Sequence, residues 1–309
     1  MIIPNMNLRE HLQKVSIETE LRRIIYHIAG TAKYISEEIH TETRKLAGTT
    51  NQYGEEQLEL DVLADILLKE RLERDTSFGI NEFVSEEQNN IVPLNTNGGR
   101  YSVSVDPLDG SSLVDSNLSI GTIVGIHDGP ILNNKSGRES MVAAMYVLYG
   151  PLTTLMYTTG NGTHEFVLDT TGNYVLSDEN MGMNESGSIY SPGGLKSEWF
   201  PCHSKFIDSL ESDGHKLRYS GAFVPDINQL VTKKGGLFTY PKLKSAPEGK
   251  LRLLFELQPM AMIVEQAGGM ATDGYNDILD KVPEKLDERS PIYIGSKQEV
   301  ELAKEFLRY

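Results

Sequence analysis

Apolar residues recur at three- and four-residue steps from residue 7 to about residue 45, a spacing that predicts two amphipathic helices. Tyr53-Gly54 interrupts this pattern, and the same steps resume from Leu58 to Leu72, which predicts a third helix. Asp61 falls among the apolar residues of that third helix. Taken alone, such an aspartate is interpreted as a partly exposed helix residue, so its role depends on its neighbours in space.

From Tyr101 to Leu176 the pattern changes to short apolar and β-branched runs bounded by Gly, Pro or Asn, which predicts successive strands. The runs cover residues 101–105, 119–127, 140–148, 153–157, 165–168 and 174–176. A turn-forming segment, residues 169–173, joins the last two runs as a hairpin. We expect these strands to form an antiparallel or mixed sheet.

A cluster of Asn, Gly, Met and Ser at residues 179–188 predicts a boundary between an N-terminal α/β domain, residues 1–182, and a C-terminal α/β domain, residues 183–309. The second part predicts strands at residues 188–191, 217–220, 236–240, 251–255 and 291–294. It also predicts helices around residues 206–210 and 227–231 and over residues 259–267, before Gly268-Gly269. The expected architecture is layered α/β.

The composition limits the classes of function. The chain has 309 residues, of which 39% are hydrophobic, and a formal net charge of −15. A charge of this sign disfavours binding to nucleic acid or to an anionic membrane surface. No run of about 18 apolar residues and no signal-like N-terminus occurs, so we expect a cytoplasmic protein. The single cysteine, Cys202, excludes a disulfide within the chain.

The segment from Val105 to Ser112 carries the strongest chemical signal. Asp106 and Asp109 lie three residues apart after an apolar strand, where Pro107 and Gly110 predict a tight turn. The N–H groups and hydroxyls of Gly110, Ser111 and Ser112 follow at what the pattern suggests is a helix start, which favours a phosphate. The alternative interpretation of Asp106 is a turn or helix-cap residue.

Further carboxylates favour a metal site. Glu86 and Glu87 follow Phe83-Val84, and Glu256 lies in the apolar run 251–257, where an uncompensated carboxylate is costly. Oxygen ligands alone suit Mg²⁺ or Mn²⁺. Two such ions would promote in-line transfer of a phosphoryl group to water, that is, phosphomonoester hydrolysis. The histidines His27, His164 and His203 do not have the spacing of a zinc site and are interpreted as structural.

These motifs resemble class I fructose-1,6-bisphosphatases and the related sedoheptulose-1,7-bisphosphatases of the lithium-sensitive, magnesium-dependent phosphatase superfamily. The resemblance covers nearly the whole chain and rests on residues 53–57 leading to Asp61, and on residues 84–87, 106–112, 217–221, 238–241, 249–256 and 265–269. It implies a layered α-β-α-β-α sandwich, the sugar-phosphatase fold with two mixed sheets. It also implies hydrolysis of the 1-phosphate of fructose 1,6-bisphosphate, a step of gluconeogenesis.

The resemblance further implies roles for individual residues. The implied metal ligands, for two or more Mg²⁺ per subunit with Mn²⁺ as a substitute, are Glu86, Asp106, the Leu108 carbonyl, Asp109 and Glu256. Asp61 and Glu87 would orient or deprotonate the attacking water. The implied substrate contacts are Asp109, Gly110, Ser111, Ser112, Arg218, Tyr219, Tyr240, Lys250 and Arg252. Arg218 would reach the site of a neighbouring subunit, so we expect a homo-oligomer, with a homotetramer favoured.

Two departures from the family pattern bear on specificity and regulation. Residues 190–196 read Tyr-Ser-Pro-Gly-Gly-Leu-Lys where fructose-bisphosphatases usually have Tyr-Ser-x-Asn-Glu-Gly, so sedoheptulose 1,7-bisphosphate stays an alternative or additional substrate. Residues 16–20 lack the Gly-Thr-Gly pattern of the AMP-regulated members, and we expect no ordinary AMP inhibition. An inositol or nucleotide phosphatase and a catalytically silent metal-binding protein are less favoured alternatives.

Overall fold

The computed structural model describes residues 6–41, 46–50, 56–74, 79–88, 90–94 and 98–308. Its α-helices are α1 Leu8–Lys14, α2 Thr19–Thr41, α3 Glu59–Arg74, α4 Gly137–Ser140, α5 Pro201–Ser212, α6 Phe223–Thr232, α7 Gln258–Gln266 and α8 Lys297–Leu307. Shorter helical turns cover Ser111–Ser116, Lys196–Glu198, Leu253–Leu257 and Ile278–Asp280. The three helices predicted in the first 74 residues are confirmed, and the break at Tyr53-Gly54 lies outside the described residues.

The larger sheet has eight strands in the order β10-β9-β8-β7-β6-β5-β3-β4. They are β3 Ile80–Ser85, β4 Val92–Pro93, β5 Tyr101–Asp109, β6 Ile120–Asp128, β7 Met141–Tyr149, β8 Thr153–Thr158, β9 Thr163–Leu168 and β10 Tyr174–Asp178. Adjacent strands of this sheet run antiparallel, except for β3 and β5, which run parallel to each other. The predicted strands and the 169–173 hairpin are therefore confirmed, in a mixed sheet.

A second mixed sheet has five strands in the order β12-β11-β13-β17-β15. They are β11 Ile189–Pro192, β12 Lys216–Leu217, β13 Leu237–Tyr240, β15 Met270–Thr272 and β17 Ile292–Gly295. Two separate pairs, β1 Leu46–Thr50 with β2 Glu56–Leu58 and β14 Leu251–Arg252 with β16 Arg289–Ser290, complete the strands of the described residues.

The buried apolar residues show how the layers stack. One cluster joins α1, α2 and α3 to one face of the eight-stranded sheet. A second cluster joins the other face to α6 and α7 and then to the five-stranded sheet, whose far face packs on α5 and α8. The order of layers is helix, sheet, helix, sheet, helix, as expected. Because α7 is sandwiched between the sheets, its residues 258–264 are all buried.

Three local predictions were wrong. Strand β5 does not stop at Val105 but continues past Pro107 to Asp109, with an irregular register against β6 over the last residues. The turn comes only at Gly110, which has a φ of 79°. The predicted strand 251–255 is limited to β14, and the predicted strand 217–220 to β12, which ends at Leu217.

A π-helical turn, Leu253–Leu257, replaces most of the predicted strand 251–255. The backbone N–H of Arg252 donates to Glu256 Oε2 at 2.6 Å, which bends the segment back on itself. A continuous apolar run does not distinguish a buried strand from a buried helical turn, and the tertiary contacts decide here. Helix α8 and strand β15 were not predicted at all.

Among the described residues, no helix combines the length and the apolar character needed to cross a membrane.

Candidate active site

The parallel pairing of β3 and β5 brings the predicted acidic segments together. Glu86 N–H donates to the Val105 carbonyl at 3.0 Å, so the turn after β3 lies beside the end of β5. All but one of the predicted site residues line a single pocket of about 380 Å³, namely Asp61, Glu86, Glu87, Asp106, Leu108, Asp109, Gly110, Ser111, Ser112, Tyr219, Tyr240, Lys250, Arg252 and Glu256. Sequence reasoning missed the other lining residues, Gly221, Ala222, Phe223, Phe238 and Leu251.

Arg218 is the predicted residue that this pocket does not include. Its side chain is exposed, and its guanidinium donates to the Leu217 carbonyl at 2.9 Å. The adjacent Leu217 and Tyr219 are also exposed for large apolar residues, at 55% and 43%. Arg218 therefore points away from the pocket of its own chain.

Three carboxylates form the floor of the pocket. One oxygen each of Asp106, Asp109 and Glu256 lies within 4.8 Å of the others, and all three residues are buried. Burial raises the pKa of Asp109 and of Glu256 to about 7. Burial, followed by the charges of Glu86, Asp109 and Glu256, raises the pKa of Asp106 well above its usual range. Three such groups cannot all ionise at low cost without a compensating cation.

The donor set fits a hard divalent cation. The described side chains that converge here as possible ligands are carboxylates, without an imidazole or thiolate, and Leu108 lines the same pocket. Mg²⁺ and Mn²⁺ prefer such oxygen ligands and retain positions for water and phosphate oxygens. The buried acids therefore have an arrangement that a bound cation would stabilise.

Both aspartates of this floor also accept hydrogen bonds from backbone N–H groups. Asp106 Oδ1 accepts the Leu108 N–H at 3.1 Å within β5, so Asp106 is a strand residue and the turn or helix-cap interpretation was wrong. Asp109 accepts the N–H groups of Phe223 and Val224, at 3.1 and 2.6 Å, with one carboxylate oxygen each. These donors belong to the first turn of α6, where a carboxylate is favoured by the helix dipole. Asp109 thus connects the eight-stranded sheet to α6.

Arg252 is the cation inside the acidic pocket. Its guanidinium, only 4% exposed, pairs with the Glu86 carboxylate, and its backbone N–H holds Glu256. The pair reduces the repulsion among the surrounding carboxylates. Arg252 therefore lies between two predicted metal ligands rather than at the pocket mouth.

Helix α3 supplies a buried aspartate that sequence reasoning missed. Asp65 lies one helical turn after Asp61 and accepts the Gln88 Nε2–H at 2.6 Å. The neighbouring Ser85 hydroxyl accepts the Glu87 N–H at 3.2 Å. Burial raises the pKa of Asp65, while the Ser85 and Gln88 hydrogen bonds oppose that rise. Asp65 thus fixes the turn carrying Glu86 and Glu87 to the helix carrying Asp61; its i+4 spacing from Asp61 was the available signal.

The segment that directly follows Asp109 is suited to phosphate. Gly110 has a left-handed backbone, and a Cβ on it would lie 2.4 Å from the Ala222 Cβ, so only glycine fits. Ser111 and Ser112 open a 3₁₀ turn that the Leu113 N–H closes onto the Gly110 carbonyl at 2.8 Å. Their hydroxyls line the pocket next to the carboxylates.

The far end of the pocket combines two tyrosines and a lysine. Tyr219 is in a loop held by Asp226, a buried carboxylate that accepts the Ser220 N–H at 3.0 Å. Tyr240 ends β13, and exposed Lys250 precedes β14. A Cβ on Gly193 would lie 2.3 Å from Tyr240 Cδ2, so the ring packs directly against the Gly193 backbone. The altered 190–196 segment therefore shapes this end of the pocket through Tyr240.

Glu18, in the second altered segment, also has fixed partners. It forms an ion pair with Arg100 at 2.5 Å and accepts a hydrogen bond from the Tyr101 hydroxyl at 2.9 Å. Arg100 in turn pairs with Asp128 at 2.9 Å. An anionic ligand at this position would have to displace Glu18.

Comparison with known proteins gives a consistent result over the whole chain. A family model described as the N-terminal domain of fructose-1-6-bisphosphatase matches residues 1–179, and the C-terminal domain model matches residues 183–308. The chain is 51% identical over 306 residues to a class 1 fructose-1,6-bisphosphatase of Syntrophotalea carbinolica, covering 98% of this chain and 94% of the relative. It is 50% identical to the corresponding protein of Geobacter sulfurreducens, with 98% and 96% covered.

Solved structures agree. The holo form of Leishmania major fructose-1,6-bisphosphatase superposes with a TM-score of 0.92 at 32% identity, covering 99% of this chain and 100% of the other. A Toxoplasma gondii protein provisionally assigned as a sedoheptulose-1,7 bisphosphatase superposes with a TM-score of 0.89 at 28% identity, with 98% of each chain covered. The fold and the order of layers are thus shared with both.

Proposed function

This chain belongs to the fructose-1,6-bisphosphatase family, and we propose how its carboxylate pocket performs the hydrolysis of fructose 1,6-bisphosphate. It is a phosphoric monoester hydrolase of carbohydrate metabolism, which releases the 1-phosphate and leaves fructose 6-phosphate. The observation that carries the proposed mechanism is the convergence of Asp106, Asp109 and Glu256 within 4.8 Å in one pocket.

Glu86, Asp106, the Leu108 carbonyl, Asp109 and Glu256 would hold two or more Mg²⁺ ions, with Mn²⁺ as a substitute. When bound, these cations would acidify the attacking water and neutralise charge that develops on the phosphoryl group and the leaving oxygen. Charge neutralisation also restores the ionised state of the buried carboxylates, whose pKa values burial raises. Arg252, paired with Glu86, supplies a fixed positive charge beside the same groups.

Asp61 and Glu87 carry the proton chemistry in this proposal. Both line the pocket next to the carboxylate floor, and both belong to segments that Asp65 holds together. One carboxylate orients the attacking water and the other accepts its proton. Because the two groups come from α3 and from the turn after β3, their separation depends on the packing of these elements.

The remaining residues bind the substrate. Gly110, Ser111 and Ser112 receive the 1-phosphate beside the carboxylates, and Tyr219, Tyr240 and Lys250 receive the sugar and the distal phosphate. That both groups line the same pocket as the carboxylates supports this assignment. We also propose a cytoplasmic location for the enzyme. Residues 1–182 and 183–309 form its two proposed domains.

Sedoheptulose 1,7-bisphosphate is a second candidate substrate. The observation in its favour is the contact of the Gly193 backbone with Tyr240. Because residues 193 and 194 are both glycine, no side chain of theirs takes up space beside Tyr240, which leaves room for a longer sugar. The shape similarity to the Toxoplasma gondii protein is compatible with this substrate. The reaction at the 1-phosphate would be the same for both sugars.

The test is phosphate release from each sugar bisphosphate, measured with Mg²⁺ and with the metal chelated. The proposal requires metal-dependent release from fructose 1,6-bisphosphate and its loss in Asp106→Asn. Chelator-insensitive release would contradict the metal assignment. The ratio of kcat/KM between the two sugars decides the second candidate.

We also propose that Arg218 completes the site of a partner subunit in a homotetramer. Its exposure beside Leu217 and Tyr219, outside its own pocket, supports this. Mixing inactive Asp106→Asn subunits with Arg218→Ala subunits, after dissociation and reassembly, should restore activity, because hybrid sites combine intact carboxylates with an intact arginine. No recovery in confirmed hybrids would contradict a role between subunits.

A further inference from the structure

Two histidines and a glutamate that the hydrolysis does not use are distant in the sequence but close together in the structure. His11 lies on α1, His164 on β9, and Glu179 directly after β10. One nitrogen of each imidazole and one oxygen of Glu179 lie within 4.8 Å of one another. The imidazoles are buried, with ring centroids 4.6 Å apart, whereas the Glu179 side chain is 36% exposed. The cluster is therefore built into the protein but opens to solvent.

Hydrogen bonds orient the first imidazole. His11 Nδ1 lies 2.6 Å from the Tyr157 hydroxyl, and Nε2 faces Glu179 Oε1 at 3.3 Å. With the Nδ1 proton given to the Tyr157 oxygen, Nε2 presents its lone pair to the cluster. A partner on the outer nitrogen is the usual support of a metal-binding histidine.

The shifted pKa values of the three groups favour the protonation states that bind a metal. Burial lowers the pKa of His11 and of His164, which favours the neutral imidazole that a metal requires. The hydrogen bond from Lys14 lowers the pKa of Glu179, so the glutamate is ionised. Lys14 Nζ lies 2.8 Å from Glu179 Oε1, and its side chain is 55% exposed. The Lys14 ammonium therefore lies at the solvent side of the cluster, and its exposed side chain is free to move away when a metal binds.

We propose that His11, His164 and Glu179 bind one divalent transition-metal ion, with Zn²⁺ as the natural occupant. Two nitrogens and one carboxylate oxygen, with an open position for water, suit Zn²⁺, Co²⁺ or Ni²⁺ and disfavour Mg²⁺. Binding would displace the Lys14 ion pair and the 3.3 Å contact between His11 Nε2 and Glu179 Oε1. A metal on His164 Nδ1 would also displace the 3.2 Å hydrogen bond from the Asn180 N–H. The ion would join α1 to the strands β9 and β10, independently of the carboxylate pocket.

The test uses the full protein in excess Mg²⁺, which occupies the carboxylate pocket. Calorimetric titration with Zn²⁺ should give one site per chain, and Co²⁺ should give the visible absorption of a four-coordinate nitrogen and oxygen site. The Tm should rise with Zn²⁺. Glu179→Gln and His164→Phe should weaken Zn²⁺ binding tenfold or more and abolish the Co²⁺ spectrum. Lys14→Met, which removes the competing ammonium, should tighten binding.

Glu185→Gln is the matched control, because Glu185 is an exposed glutamate paired with Lys297 at 3.5 Å. It should leave Zn²⁺ binding unchanged. Repeating the titration in the Glu256→Gln background separates this site from the carboxylate pocket. Absence of Zn²⁺ binding, or binding that Glu179→Gln and His164→Phe leave unchanged while both fold normally, would overturn the proposal without affecting the assignment of the hydrolysis.

Discussion

The carboxylate of Asp109 accepts the backbone N–H of Val224 at 2.6 Å, across 115 positions of the chain. Its other oxygen accepts the Phe223 N–H at 3.1 Å. The same side chain belongs to the acidic floor of the pocket, so it has a structural and a chemical function at once. The neighbouring Asp106 and Glu256 accept short-range backbone hydrogen bonds, from Leu108 and Arg252.

Asp109→Ala should therefore lose both activity and stability. The substitution leaves two buried N–H donors at the start of α6 without their acceptors, at a cost of about 1–3 kcal/mol. Glu256→Gln, whose amide oxygen can still accept the Arg252 N–H, should lose activity without losing stability, since it also removes a buried acid that is costly to ionise. Chemical denaturation of both variants in chelator at about pH 4, where these acids are protonated in the folded state, checks this, and equal stability of Asp109→Ala and wild type would contradict it.

Stability without metal should fall as the pH rises. The folded pKa values of Asp109 and Glu256 are raised to about 7, above those of the unfolded chain near 4, so the folded state holds more protons between these values. The free energy of unfolding should therefore decrease from about pH 4 to about pH 7 and level off above. Asp226, with a pKa raised to about 7, adds a similar decrease that metal does not remove.

Saturating Mg²⁺ should reverse most of this slope, because the cation binds the ionised carboxylates of the pocket. Unfolding curves at a series of pH values, with Mg²⁺ and with chelator, measure the difference. The Asp226→Asn variant should lack the metal-independent part. Parallel curves with and without Mg²⁺ would show that the buried acids and the metal are not linked.

Asp65→Ala should weaken metal activation rather than substrate binding. Asp65 holds Gln88 and lies beside Ser85, which fix the turn of Glu86 and Glu87. Loss of such an outer contact typically lowers metal affinity by about 10–100-fold, so the Mg²⁺ concentration for half-maximal rate should rise accordingly. The KM for fructose 1,6-bisphosphate at saturating Mg²⁺ should change little.

Asp65→Asn, which keeps one acceptor for Gln88, should show a smaller effect. Glu70→Ala is the control on the same helix, since Glu70 is exposed and pairs with Arg74. If Asp65→Ala left the Mg²⁺ dependence unchanged, the positioning role would be wrong.

Gly193→Ala should alter binding at the distal end of the pocket. Its new Cβ would meet the Tyr240 ring at 2.3 Å, so the ring or the loop has to move. We expect a several-fold rise in KM with a smaller change in kcat, and a changed kcat/KM ratio between the two sugar bisphosphates. Gly182→Ala is the matched control, because its Cβ has no neighbour within 4 Å. Unaltered kinetics of Gly193→Ala would remove this glycine from the specificity of the site.

The parts of the molecule that sequence predicted well are those fixed by local pattern. The helical stripe of α2 and the apolar runs of β6 and β7, bounded by turn-forming residues, need no distant partner to be recognised. The acidic pair Asp106 and Asp109 was found because a strand and a turn surround it. The layered fold was expected from the family resemblance, and the apolar clusters confirm it.

The features that sequence did not predict depend on distant contacts. Asp65 looks like any helix residue until Gln88, 23 positions later, is placed beside it. The π-helical turn before α7 follows from the contact of Glu256 with the Arg252 backbone, which the apolar run does not encode. His11 and His164 are 153 positions apart and meet only because α1 packs on the hairpin strands, so the spacing of His27, His164 and His203 along the chain gave no sign of this proximity.

The most direct test of the central claim is the number of Mn²⁺ ions bound per subunit in the presence of fructose 6-phosphate and phosphate, measured by electron paramagnetic resonance in wild type and in Glu256→Gln. We predict at least two ions in wild type, fewer in the variant, and a parallel loss of phosphate release. Equal Mn²⁺ binding and equal activity in the two proteins would contradict the claim that Glu256, together with Asp106 and Asp109, holds the cations that the hydrolysis uses.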